Sequence, residues 1–290
     1  MKLADTLINS NIYISLAAVF LTVETQIQLG MQPQWHPYLF LIFFGTLLEY
    51  NFHRFVTIFT HKEALKSDKH SWVNKNLTNF YILVGVSLIG FVVVVFMAEL
   101  KVLLTLTPIA LITILYSMPF FGKTRSIFRL REIPFLKIFL IAFVWATATI
   151  ILPVSKSLES INYYSVIALL IERFLFIFAI TIPFDIRDID SDNNQGLKTI
   201  PNTLSEEKSL NLAYISLGLF FIISVIHFSI LGYWFVLFAI IISAATTFIF
   251  LSSKRMKQMP IYHYGILDGT MLLQGLLVFL FYYINLYSIS

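Results

Sequence analysis

Residues 185–201 read DIRDIDSDNNQGLKTIP, from Asp185 to Pro201, and place four aspartates within eight residues directly after an apolar run. On a helix each residue turns about 100°, so Asp188 falls at about 300° and Asp192 at about 340° from Asp185. If the helix continues past Pro183, these three carboxylates share one face, while Asp190 points about 140° away. Like charges packed this way repel unless a cation joins them. Mg²⁺ suits such a place, because it takes oxygen ligands from one or two carboxylates plus substrate phosphates. The run from Asp188 is not a calcium-binding loop, which needs Gly at its sixth position and Glu at its twelfth; Asn193 and Thr199 stand there. An ordinary solvated loop is the other reading. Gly196 would close it, and Ser205 would cap the next helix ahead of Glu206 and Glu207. The local pattern leaves both readings open.

The surrounding chain is not that of a soluble domain. Of its 290 residues 58% are hydrophobic and 12% charged, and its mean hydropathy is +0.82, against about a quarter charged in soluble domains. Cysteine is absent, which excludes disulfides and thiolate metal sites. The first residues lead into an apolar segment long enough to stay in a membrane, with no cleavable signal pattern. Apolar runs predict nine transmembrane helices near 11–29, 37–59, 79–98, 102–118, 135–153, 162–184, 210–230, 232–251 and 262–286.

Charge supports that count. Nine spans put alternate flanks on one side, and of the 20 Lys and Arg all but Lys101, Lys156 and Arg173 fall in a single set of flanks. Basic residues concentrate on the cytoplasmic side, so the N-terminus is expected in the cytoplasm and the C-terminus outside, in a bacterial inner membrane. The positive charge thus follows topology and gives no reason to invoke nucleic acid.

The aspartate stretch resembles the second aspartate-rich motif of the UbiA superfamily of intramembrane prenyltransferases. Asp185, Asp188 and Asp192 meet its DxxDxxxD spacing, and Gly196, Lys198, Thr199 and Pro201 meet its GxKTxP tail. Nine helices is also that superfamily's usual count. After the fourth span, Tyr116, Lys123 and Arg125 resemble the family's Tyr followed by a Lys-Arg pair, split here by Thr124. The resemblance implies an all-α polytopic membrane protein, one domain over residues 1–290, with helices around a central cavity. It also implies Mg²⁺ and a prenyl diphosphate under cytoplasmic loops, the prenyl tail among apolar helices, and transfer to an aromatic or other lipophilic acceptor in the bilayer. Asp185, Asp188 and Asp192 would then be catalytic and hold the metal. Lys198, Lys123, Arg125 and Arg54 would neutralise diphosphate, with Asn51 and Tyr116 as further substrate contacts.

The family's first acidic motif, NDxxDxxxD, belongs at the end of the second span, where this chain reads LLEYNFHRFVTIFTHK. Placing Asn51 on the motif's Asn puts Phe52, Phe55 and Phe59 on its acidic positions. One metal cluster is therefore expected instead of two, with Arg54 binding phosphate in place of an ion. A non-catalytic relative that binds a polyprenyl lipid or a partner is the alternative. A secondary transporter is disfavoured, because paired interrupted helices in related halves are not evident. Polar groups within spans are functional candidates by default. Arg173, however, lies about 18 Å along a helix from Asp185, which favours a structural ion pair with another helix. Glu49 and His53, four residues apart, would share a helix face as a tie or as part of the site.

Overall fold

The computed structural model describes residues 2–60, 71–117, 130–156, 162–194 and 196–289. Helices are α1 (Lys2–Asn9), α2 (Ile12–Gln28), α3 (Pro37–Thr60), α4 (Ser71–Lys75), α5 (Leu77–Met97), α6 (Leu100–Ser117) and α7 (Leu136–Val154). Then follow α8 (Tyr163–Arg187), α9 (Ile189–Asn194), α10 (Ile200–Leu204), α11 (Glu206–Leu231), α12 (Trp234–Ser252), α13 (Lys254–Lys257) and α14 (Asp268–Ile289), with a π-helical turn, Tyr262–Leu267, leading into α14. Among the described residues the fold is all-α, as the long apolar runs predict.

Local chemistry sets the ends. Asn11 adopts the left-handed conformation, φ 64°, which asparagine tolerates better than most residues. There α1 meets α2 at a bend of 75°. The side-chain oxygen of Asn162 accepts from the Tyr164 N–H at 3.0 Å, capping α8. Gly232, at φ 70°, closes α11, and the Tyr233 N–H reaches back to the Phe228 carbonyl at 3.0 Å. Ser205 does sit at the N-cap of α11, but its hydroxyl makes no capping bond and its backbone stands at φ 90°.

By length and apolarity, seven helices among the described residues are able to cross a membrane, and the bent pair α1–α2 makes an eighth. The nine expected are not reached on that criterion. The helix that falls short is α3, which is long enough but carries Glu49, Asn51, His53 and Arg54 in its second half. Six helices close a ring in the order α2, α7, α8, α11, α12, α14. Outside it, α3 packs on α2, α5 on α3, and α6 on α7. Alanines with almost no exposure, among them Ala17, Ala142, Ala179, Ala213 and Ala239, lie on the helices of the ring. Small side chains let helix backbones approach, which is how helices associate in lipid. Large apolar side chains such as Ile89, Phe96, Leu104 and Ile230 point outward.

A polar network fills the middle of the ring. Glu24 on α2 pairs with Arg173 on α8 at 3.3 Å. The Glu24 carboxylate also accepts from Gln28 at 2.8 Å and from Gln274 on α14 at 2.9 Å. Arg173 donates further to the Leu21 carbonyl, Thr149, Thr25 and Gln28. Glu172, pointing elsewhere as its neighbouring position requires, takes Ser224 and His227 of α11 at 2.9 and 2.7 Å. Ser243 on α12 donates to Gln274 at 3.1 Å. Five helices of the ring, α2, α7, α8, α12 and α14, contribute to the network around Glu24 and Arg173, and α11 meets α8 through the separate contacts of Glu172.

Candidate functional site

The aspartate stretch lies at the end of α8. That helix runs unbroken past Pro183 to Arg187, breaks at Asp188, and resumes as α9 after a single residue. Of the three carboxylates that share a face on a straight helix, two stay together and Asp188 takes a separate partner. Asp185 and Asp192 are both buried and turn toward α7. Lys137 in its first turn sits between them, its Nζ 2.8 Å from Asp185 Oδ1 and 3.0 Å from Asp192 Oδ2. The contact to Asp185 is close but not aligned as a hydrogen bond, and Asp185 Oδ1 has no other partner. Asp188 instead pairs with Arg187 at 2.8 and 3.0 Å. Asp190 is exposed.

The tail of the motif forms a tight return. Gly196 at φ 71° supplies the left-handed turn, and the Leu197 N–H donates to the Asp192 carbonyl at 2.9 Å. The Lys198 carbonyl accepts from the Phe135 N–H at 2.9 Å, tying the loop to the start of α7, while its side chain is exposed. Pro201 occupies the first turn of α10, where no N–H is needed.

Around this core lie further charged and aromatic groups. The Arg187 guanidinium sits over the rings of Phe184 and Tyr264, 5.2 and 5.0 Å from their centroids, a geometry that favours a cation. Tyr264 is within electrostatic reach of Arg54, Arg187, Asp188 and Asp268. Arg54 donates to the Asn9 carbonyl at 2.5 Å. Tyr116 interacts electrostatically with Arg131, Lys137 and Asp185. Asn51 is fully buried, donating to the carbonyls of Ser10 at 3.1 Å and Leu47 at 2.9 Å and accepting from Asn11 at 2.9 Å. Its amide is thus committed to the α1–α2 corner. Glu49 and His53 do not pair with each other: Glu49 accepts from Ser117 at the end of α6, and His53 meets Arg131 at 2.9 Å. Lys123 and Arg125 lie outside the described residues.

Where the resemblance called for an acid at Phe55, the structure has an apolar contact. Phe55 packs on the cluster of Ile58, Val73 and Phe80, and stands edge-on to Tyr81 at 6.1 Å. A carboxylate there would stand among apolar side chains.

Among the described residues, no three acidic or imidazole groups converge so as to hold a metal ion. Two carboxylates of the motif do converge, on Lys137. Their oxygens, one of them buried without a hydrogen bond, are the hard donor set that a magnesium ion takes. The residues fit such an ion, provided the ammonium yields its place. Lys137 is the member that sequence reasoning missed. In the sequence it is one more basic residue at the end of a span, and nothing in its local pattern separates it from the topology signal.

Residues 75–260 match the UbiA prenyltransferase family. No curated protein sequence matches the chain. Among solved structures, a UbiA homolog from Aeropyrum pernix K1 is similar with a TM-score of 0.60 at 12% identity, covering 95% of this chain and 98% of that one. A UbiA homolog from Archaeoglobus fulgidus bound to Cd²⁺ is similar with a TM-score of 0.58 at 14% identity, covering 91% and 96%. A digeranylgeranylglyceryl phosphate synthase structure is similar with a TM-score of 0.54 at 16% identity, covering 94% and 97%. At these identities the likeness is one of fold.

Proposed function

The chain belongs to the UbiA prenyltransferase family, and from that membership we propose that it transfers an isoprenyl group from a prenyl diphosphate to an aromatic or other lipophilic acceptor within the bilayer. The observation that carries this reading is the convergence of Asp185 and Asp192 on one cation at the mouth of the ring, with Arg187 and Tyr264 beside them. Asp185, Asp188 and Asp192 are the proposed holders of Mg²⁺. When bound, that ion supplies positive charge to the departing diphosphate oxygens.

The chain's own residues divide the remaining work. Lys198 reaches from the loop that its backbone anchors to α7, so its ammonium is free to follow a phosphate. Arg54 and Arg187 add fixed positive charge, and guanidinium groups take phosphate oxygens in pairs. Lys123 and Arg125 are proposed phosphate partners from the sequence alone. Asn51 positions the α1–α2 corner against α3, and Tyr116 borders Lys137 and Asp185. The end of the ring that holds these charges is proposed to face the cytoplasm, because the basic residues gather there.

The test is Mg²⁺-dependent binding of a non-hydrolysable prenyl diphosphate analogue, followed by incubation with radiolabelled prenyl diphosphate. Asp188→Ala should lose most binding and Asp190→Ala little, since Asp190 is exposed. Wild type that binds the analogue without metal, or Asp188→Ala that binds unchanged, defeats the metal-site reading. Binding without labelled product identifies a non-catalytic relative.

A further inference from the structure

The charges of the aspartate motif are already largely matched from within the chain. Lys137 Nζ lies 2.8 Å from Asp185 Oδ1 and 3.0 Å from Asp192 Oδ2, and its side chain is 14% exposed against 3% and 4% for the two carboxylates. Asp188 is matched by Arg187. The three aspartates and these two cations therefore leave one net negative charge where the motif alone would carry three. Asp185 Oδ1 faces the ammonium at ion-pair distance, and it has no other partner. The lysine comes from the first turn of α7, which lies beside the end of α8 because the two helices are antiparallel, and the bond between Phe135 and Lys198 at 2.9 Å holds it there. A divalent ion that uses both carboxylates must occupy the few ångströms that the ammonium now fills.

We propose that Lys137 is a tethered counter-cation of the aspartate motif: it holds Asp185 and Asp192 together without metal and competes with a divalent ion for them. The proposal rests on the diphosphate-site reading above and adds to it a residue that sets the metal affinity. The lysine stem is flexible and its ammonium is a point charge. An ammonium displaced by an incoming metal stays beside the site, close enough to meet phosphate oxygens. The protein without substrate thus binds divalent ions weakly, and diphosphate and metal bind best together. Lys137 acts through the aspartates and is a positioning residue.

The experiment is a Mn²⁺ titration followed by electron paramagnetic resonance, on purified full-length protein without any diphosphate. Lys137→Gln keeps a donor for the carboxylates but drops the charge, and Lys137→Met drops both. Each should bind Mn²⁺ about tenfold or more tightly than wild type, as expected when a unit positive charge a few ångströms from the ion is removed. Lys137→Arg should stay at the wild-type affinity, and adding Asp185→Asn to Lys137→Gln should abolish the gain. A purely structural lysine would lower the unfolding temperature of the Gln variant and leave its Mn²⁺ affinity unchanged. That result, in a Gln variant that retains its helical signal, overturns the proposal, as does a wild type that binds Mn²⁺ as tightly as the Gln variant. Should Lys137→Met not fold, the Gln variant decides the matter. Because no prenyl diphosphate is present, the outcome is separate from any failure of the prenyl diphosphate reading.

Discussion

Arg173 carries a full charge into the middle of the ring and finds Glu24, Thr25, Gln28, Thr149 and the Leu21 carbonyl there. Such a pair adds little net stability over apolar residues of the same size, because both charges must be stripped of water. Breaking it is another matter. Arg173→Met leaves the wholly buried Glu24 without its counter-charge, and removal of one partner of a buried pair costs about 3–5 kcal/mol. Detergent-solubilised Arg173→Met should therefore unfold at markedly lower temperature or denaturant, and the double variant Glu24→Gln, Arg173→Met should recover most of the loss. An unfolding midpoint unchanged in the single variant would show that the pair does not tie α2 to α8.

At the scale of the element, α14 crosses α2 closely at Gly275. A Cβ at Gly275 would meet the backbone carbon and oxygen of Phe20 at 2.7 Å. Backbone cannot step aside as a flexible side chain does, so Gly275→Ala must push the helices apart. Gln274, the preceding residue, would then be drawn from Glu24 and Ser243. Overpacking of this kind costs about 1–3 kcal/mol. Gly218 in α11 is the control, because a Cβ there meets nothing within 4 Å and alanine favours a helix by about 0.5–1 kcal/mol. Thermal unfolding should fall for Gly275→Ala and hold or rise for Gly218→Ala; the reverse order would refute the crossing. The break between α8 and α9 belongs to the same scale. It interrupts the helix at one residue only; on either side of it Asp185 and Asp192 share a lysine, while Asp188 pairs with Arg187.

For the molecule as a whole, the ring gives two unlike ends and an apolar outer surface. One end holds Lys137, Asp185, Asp192, Arg187 and Arg54; the other holds the Lys156–Glu99 ion pair. The distribution of Lys and Arg predicts that the first end is cytoplasmic. Reporter fusions after Lys75, after Asn194 and after Lys257 should report cytoplasm, and a fusion beside Lys101 or Lys156 should report the outside. A cytoplasmic reporter at Lys156 would invert the topology and put the aspartates on the wrong side for a cytosolic diphosphate.

The one-dimensional pattern by itself determined where the helices lie, because burying or lipid-exposing a whole turn requires apolar residues along its length, and that is written locally. It also marked Asp185, Asp188 and Asp192 by spacing, and the resemblance to the family's first motif set Phe55 where that motif has an acid. What it does not contain is who faces whom. Lys137 and Asp192 are 55 residues apart, and only the antiparallel packing of α7 on α8 brings them together. Helical periodicity aligned the three aspartates on one face, but it does not show which neighbour each one meets: Asp188 pairs with Arg187, while Asp185 and Asp192 share Lys137. Glu24 and Arg173 show the same limit, since an apolar helix reveals that a charge is buried but not the distant helix that neutralises it. Only the closed ring decides that, because the cost of a buried charge is met by whichever opposite charge the packing brings within reach.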